Sequence, residues 1–578
     1  MWGLSARSVT VALVFAAATG GCAEANECAA RAGCTQDALS ASAFTDSVGV
    51  NTHLGYNNQV YGTAWPMVRD RLVELGVRHV RDASYRDGTR LTDVVPHMRQ
   101  LASLGIRGNL LSGDPLGRYG SGTIDQHLAW VRKNVAGFVE SLEGPNEYDD
   151  PADDPNWERT LRTYQCEWAR KIRSDSTLAG KAVIGPSSGG VGFDTLGDLT
   201  GCLDAGNLHP YPGAWEPSTS NAGDLATHIA RAQKVSGSKP VWVTESGYHN
   251  ATNCSCGHAP VSETASGIYV PRMFMEYFRR GIPRTYGYEL IDEQPDPLRA
   301  QPQRNFGLLR NDGTRKPAFT SVRNLLTILA DSGAATGRLS FGLSCESSCA
   351  APLRHVLLRK TTGAYYLVVW RESSVWDEAT RTDRSIAAQQ VELQLPTPSL
   401  LEIFEPARSS TATARLSAAS HRFALADQLI VVKIDAPRAT KTDAGVPAGD
   451  VSSSAPPQSA PPQSVRPRSV AAAVAWTADN AARQLRRTGA RQLRRRGVVR
   501  IAARAVRAGR YVISLERRGI FARGRRSFGG ASTKRIAVRR SPRGRRLLRP
   551  GARLVLHVAF VTRSGTRQAV RRRLKTMR

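Results

Sequence analysis

Acidic residues all but vanish from the C-terminal part of this chain. Between residues 471 and 578 there are two, Asp479 and Glu516, against 32 Lys and Arg. The rest of the chain carries 47 of each sign, so the whole formal charge of +30 sits at one end and the larger part is neutral. The pooled charge therefore says nothing about the main domain. No glycine-rich phosphate fingerprint follows the first strand-like segment, which argues against a dinucleotide-binding sheet. The tight pair Cys254-Ser255-Cys256 lacks the spacing and the accompanying histidine pair of a zinc site, leaving metal binding as the weaker reading.

The apolar stretch 9–18 is too short to span a bilayer. With Arg7 before it and Ala18-Thr19-Gly20-Gly21-Cys22 after it, residues 1–22 read as an export signal. A cysteine directly after small residues is similar to a bacterial lipoprotein cleavage site, although Thr19 stands where a larger aliphatic residue is usual. Lipid attachment at Cys22 and plain secretion both stay open. Setting Cys22 aside leaves eight cysteines, an even number, several of them close together as local disulfides would be. Their pairing does not follow from sequence.

Apolar segments alternate between strand-like and helix-like over 45–335. Strands are expected at 47–51, 77–82, 106–111, 138–142, 182–185, 206–209, 240–244 and 285–290. Apolar spacings of three and four residues mark helices at 67–75, 91–104, 124–135, 157–174, 225–235 and 268–280. Eight strands with intervening helices over this length predict an α/β fold, a parallel (β/α)8 barrel, with an open doubly wound sheet as the alternative. Short β-rich runs over 338–436 predict an antiparallel β-sandwich. Residues 437–470 are a linker rich in Pro, Ser and Ala. Segments 511–515 and 554–561 look like strands, so 471–578 reads as a small arginine-rich β-domain.

Two short strings carry the chemistry. Gly144-Pro145-Asn146-Glu147 follows the fourth expected strand, and Thr244-Glu245-Ser246-Gly247 ends the seventh. The C-terminal rim of a parallel barrel is open above and rigid beneath, which is where such a fold keeps reactive side chains. Two facing carboxylates are the minimum equipment for breaking a glycosidic bond.

On these motifs the chain resembles the clan A retaining glycoside hydrolases, the barrel superfamily that includes cellulases, β-xylosidases and α-iduronidases. The resemblance implies Glu147 as general acid/base, protonated when the leaving group departs, and Glu245 as an ionised nucleophile, with the carboxyls about 5–5.5 Å apart. Asn146 would donate to the hydroxyl beside the reacting carbon. Arg81, ending the second strand, would hold Glu245 ionised. His209 and Tyr211, in Leu208-His209-Pro210-Tyr211, match a His-x-Tyr pair that lines the subsite and orients the nucleophile. The superfamily's eighth strand usually ends in a tryptophan. Here Tyr288 would supply the stacking face and Glu289 would bind sugar hydroxyls. Glu143 and Asp149 flank the site and read as solvated or structural. No cofactor and no metal are expected.

The implied substrate is an oligo- or polysaccharide. The basic tail resembles the arginine-rich C-terminal β-domains of exported actinobacterial proteins. For an exported chain its partner would be an anionic wall polymer, an acidic polysaccharide or a membrane surface rather than nucleic acid. Two further functions remain: a carbohydrate- or wall-binding protein on an inactive barrel, and a surface protein whose working part is the tail.

Overall fold

The computed structural model describes residues 34–435, apart from 87–93, 119–120, 190–192, 194, 221–222 and 347. Further on it describes residues 474, 477, 478 and 481 and the strands between 498 and 575. The expected export signal with Cys22, and the linker 437–470, lie outside the described residues. The chain forms two compact units, residues 1–442 and 443–578.

The first unit is built on eight parallel strands: β1 (Val48–Asn51), β2 (His79–Ala83), β3 (Arg107–Leu111), β4 (Val139–Glu143), β5 (Ala182–Ile184), β6 (Gly206–Leu208), β7 (Val241–Ser246) and β8 (Thr285–Gly287). Each pairs with its sequence neighbours, and β8 pairs back onto β1. Only β5 and β6 are joined by less than a ladder. A parallel bridge between Ile184 and Ala205, backed by the bond from Gly185 N to Ala205 O (2.8 Å), closes the circle there. The fold is thus the α/β barrel that the alternation implied. Both faces of its strands are buried, which is why they read as short apolar runs.

The helices that wrap the barrel are α1 (Trp65–Leu75), α2 (Val94–Ser103), α3 (Ile124–Asn134), α4 (Trp157–Ser174), α5 (Leu225–Ser236), α6 (Glu263–Arg279) and α7 (Pro317–Leu329). Local chemistry fixes several starts. Thr123 and Gln126 form a reciprocal capping box on α3, and Asp224 and Ser262 cap α5 and α6. Among the described residues between β5 and β6 the one helical element is a 3₁₀ turn, Thr200–Cys202, and a disulfide from Cys202 to Cys166 ties it to α4. Further disulfides join Cys254 to Cys256 and Cys345 to Cys349, and Cys34 is also disulfide-bonded.

Behind the barrel lies a seven-stranded sheet that curls over its own core. It is mixed, not purely antiparallel as the sequence suggested. The strand Cys34–Ser40, which precedes the barrel in sequence, inserts between Gly337–Cys345 (antiparallel) and Leu353–Arg359 (parallel). Strand Tyr365–Arg371 explains how the sheet is held. Tyr365, Leu367 and Val369 point into its own core, while Tyr366, Val368 and Trp370 belong to the barrel's core. Strand alternation therefore lets one strand serve two cores.

The second unit is a six-stranded sheet in which every pairing is antiparallel. Alternate residues, among them Ile501, Tyr511, Ile513, Ile536, Val538, Leu556 and Phe560, join helical Val474, Ala478 and Ala481 in a core. Arg510, Arg523 and Arg539 are exposed, and Arg523 lies opposite Arg539 in register.

Candidate active site

The upper interior of the barrel is polar. Asn51, Arg81, Asn109, Glu143, Asn207 and Thr244 come from six different strands and all are buried. Glu143 is their hub. It receives Arg81 through Nε (2.9 Å) and Nη2 (2.8 Å), Asn109 Nδ2 (2.5 Å), Asn207 Nδ2 (2.9 Å) and Thr244 Oγ1 (3.0 Å). The sequence offered Glu143 as a solvated or structural flank. It is structural and fully buried, tolerable only because each oxygen is repeatedly bonded and a guanidinium faces it.

Arg81 extends this network upward. Its Nη1 donates to Glu245 Oε1 at 2.5 Å and its Nη2 to Asn146 Oδ1 at 2.7 Å. Because the Asn146 oxygen is engaged by Arg81, its amide nitrogen is the atom left for the cavity. Burial alone would discharge Arg81, but Glu143 and Glu245 outweigh it and keep the guanidinium charged.

Glu245, at the end of β7, also accepts from Tyr211 Oη at 2.7 Å. Burial pushes its pKa up. The charges of His209 and Arg81 and the bonds from Tyr211 and Arg81 overcome that and bring the carboxyl down to about 2. Tyr211 itself is held well above its ordinary value by burial and by Glu245, so it stays a donor.

Glu147 is set differently. It is the more open of the two, with 36% of its side chain exposed against 12% for Glu245. Its φ of 46° lies in the left-handed region, and its N–H donates to Ser187 Oγ at 3.1 Å. Gly189 packs against it so closely that a Cβ there would stand 3.1 Å from Glu147 Cβ. Asp149 pins that segment by accepting from Ser188 Oγ (2.5 Å) and Gly189 N (2.9 Å).

His209 links the two carboxyls. Its Nδ1 is 2.8 Å from Glu147 Oε1 and 3.6 Å from Glu245 Oε2, while its Nε2 is 2.9 Å from Thr244 Oγ1. Thr244 spends its one hydroxyl proton on the oxygens of Glu143 or Asn207, so it accepts from Nε2–H. One proton then lies on the bond between His209 Nδ1 and Glu147. Oxygens of Glu147 and Glu245 come within 4.8 Å of each other.

Glu147 and Glu245 open onto a cavity of about 500 Å³, within the usual range for small-ligand sites, while His209 lies buried behind them and outside its lining, contrary to the expectation that it would line the subsite. Asn146, Glu147, Arg81, Tyr211, Glu245 and Tyr288 all line the cavity. Glu289 does not, contrary to the expectation that it would bind sugar hydroxyls. It is fully buried behind the wall and accepts from Tyr61 Oη at 3.0 Å. The strand ends at Gly287 and the chain bends at once, which leaves Tyr288 in the cavity lining and carries Glu289 behind it. Several lining residues carried no motif: His53 and Tyr56 after β1, Asp82 after Arg81, and His258 and Phe306 from long rim loops. Position offered the only signal for Asp82 and His53, which sit at or just past strand ends. Burial brings the His258 imidazole down to about 4, so it faces the cavity neutral.

No protein-family model matches this chain, and no curated protein matches it in sequence. Among solved structures it is similar to a family 39 glycoside hydrolase from Bacteroides cellulosilyticus WH2, at 14% identity over 68% of this chain and 82% of that one, TM-score 0.48. A glucosidase from Croceicoccus marinus is similar at 10% identity over 70% and 99% of the two chains, TM-score 0.46. A GH51 arabinofuranosidase from Xanthomonas axonopodis pv. citri follows at 11% identity over 70% and 100%, TM-score 0.42. At these identities the likeness is one of fold alone.

Proposed function

We propose that this chain is an exported retaining glycoside hydrolase that cleaves O-glycosidic bonds in an oligo- or polysaccharide. The observation that carries the reading is the pair itself: oxygens of Glu147 and Glu245 within 4.8 Å across a cavity, one group held ionised and the other sharing a proton with His209. An inverting pair stands about 6.5–9.5 Å apart to admit a water between.

In the first step a Glu245 oxygen attacks the anomeric carbon. The bond to the leaving oxygen breaks, and that oxygen takes the proton from Glu147. In the second step Glu147, now a carboxylate, removes a proton from water. The water oxygen displaces Glu245, which leaves as the carboxylate it was at the start. Arg81 and Tyr211 steady the Glu245 carboxylate before its attack and again as it leaves. The Asn146 amide is placed to donate to the neighbouring hydroxyl, and Tyr288, edge-on to Phe306 with centroids 5.2 Å apart, offers a face to the ring. The disulfides fit an oxidising compartment.

The test is a panel of aryl glycosides with the wild type, Glu245→Ala and Glu147→Ala. Hydrolysis by the wild type alone, with a covalent label trapped on the peptide that holds Glu245, supports the reading. Saccharide binding without hydrolysis would favour an inactive barrel, and equal rates in wild type and Glu245→Ala would remove Glu245 as nucleophile.

For the second unit we propose an anionic wall polymer or membrane surface as partner. Exposed Arg523 and Arg539 face each other across two strands, an arrangement that costs stability until an anion bridges it. Removing residues 443–578 should abolish salt-sensitive binding to cell walls and leave hydrolysis unchanged; unchanged wall binding would refute the assignment.

A further inference from the structure

We propose that His53, Glu289 and Glu293 form a binding site for a divalent cation, zinc by its ligand chemistry, in the wall of the cavity. His53 comes from the loop after β1, and the two glutamates come from the segment after β8. His53 Nε2 lies 3.4 Å from Glu289 Oε2 and 3.5 Å from Glu293 Oε1, and the three ligand atoms all fall within 4.8 Å of one another.

Three features point to an ion rather than to an ordinary polar cluster. First, neither contact is a hydrogen bond: His53 Nε2 is buried and has no hydrogen-bond partner. Second, Glu289 is fully buried, and although Tyr61 donates to its Oε2 at 3.0 Å, its Oε1 has no partner at all. A buried carboxylate left half-satisfied is costly, and its neighbour here is another carboxylate. The nearby Lys316 acts on it only through its charge, because its Nζ hydrogen bonds go to Asp292 (2.8 Å), Asn250 (3.1 Å) and Asn305 (3.2 Å).

Third, the spacing fits. Ligands around a tetrahedral zinc with bonds of about 2.0–2.2 Å stand about 3.3–3.6 Å apart. An octahedral magnesium at about 2.0–2.1 Å would draw adjacent oxygens to about 3 Å. One imidazole with two carboxylates is also a donor set that suits zinc over the hard cations. The His53 ring is held by stacking on Tyr56, with centroids 4.7 Å apart and planes at 10°, and Tyr61 plays the supporting part that such sites give to a group bonded to a ligating carboxylate. Because His53 lines the cavity, the ion would border the space where the substrate sits.

Metal content is the readout, so this inference stands apart from hydrolysis. Full-length protein stripped with EDTA is dialysed against micromolar zinc chloride and assayed by calorimetry and elemental analysis, and its melting temperature is taken with and without zinc. The expected result is one zinc per chain and a zinc-dependent rise in melting temperature. Affinity should fall at least 10-fold in Glu293→Gln and in His53→Ala and persist in Glu147→Gln. Glu293 is partly exposed, and two independent variants guard against a folding defect in either. Less than a tenth of an equivalent bound by wild type would overturn the site in favour of a proton shared by the two glutamates. Equal binding by both variants, or loss in Glu147→Gln alone, would overturn it too, the latter placing the ion on the Glu147, His209 and Glu245 cluster.

Discussion

Replacing Tyr211 by Phe removes one of the bonds that keep Glu245 charged and little else. The hydroxyl donates to Glu245 Oε2 at 2.7 Å, while the ring packs edge-on against His258 (5.3 Å) and Phe306 (5.8 Å), contacts that Phe retains. A hydrogen bond to a charged group is worth about 1.5–3 kcal/mol. At about 1.4 kcal/mol per pKa unit, its loss raises Glu245 by about 1–2 units. The wild-type group titrates near 2, against an ordinary 4.5. A depressed carboxylate stabilises the fold fully above its unfolded value, and that contribution is lost as pH falls through the folded one. For wild type the window runs from about 4.5 down to about 2; in Tyr211→Phe its lower edge moves up. The assay is kcat/KM between pH 3 and 8 on an aryl glycoside that the wild type hydrolyses. Wild type should hold its rate down to the most acid pH at which it stays folded. Tyr211→Phe should show an acid limb displaced upward by about 1–2 units, with a loss of no more than about 100-fold near neutrality. An acid limb that does not move would refute the claim that Tyr211 acts on the ionised form of Glu245.

Three other perturbations follow from the same geometry. Glu147→Gln should lower kcat/KM by about 10²–10⁴ on glycosides with poor leaving groups, and far less on those whose leaving group needs no proton, a contrast that stopped-flow rates on matched aryl substrates will reveal. Gly189→Ala places a methyl 3.1 Å from Glu147 Cβ and 3.3 Å from its Oε2; kcat should fall about 10-fold or more with KM little changed, as measured by steady-state kinetics. Cys166 and Cys202 close a loop of 36 residues in sequence separation, so converting both to Ser should cost about 3–4 kcal/mol in urea unfolding, with the site's chemistry intact.

Sequence alone determined the elements whose signal is local. Alternating periodicities marked the strands and most helices of the barrel, because a side chain's spacing along the chain decides which face it takes. The Asn-Glu after β4 and the glutamate ending β7 were legible for the same reason: in a parallel barrel the end of a strand is also a place in space. The tail's sheet was legible from its apolar strands despite the arginines between them. What sequence did not reach are features that exist only when distant segments meet. Cys34–Ser40 fell outside every expected element and is a strand of the sheet behind the barrel. A disulfide fastens the turn before β6 to α4, a pairing that the sequence left open. Glu143 seemed a flank and proved to be the buried centre on which four other strands converge, since hydrogen bonds among Arg81, Asn109, Asn207 and Thr244 can be counted only once those strands stand side by side. Glu289 faces His53 and Tyr61 and not the sugar because the chain bends as soon as β8 ends, and only the packing around that bend decides which of two adjacent residues meets the open space.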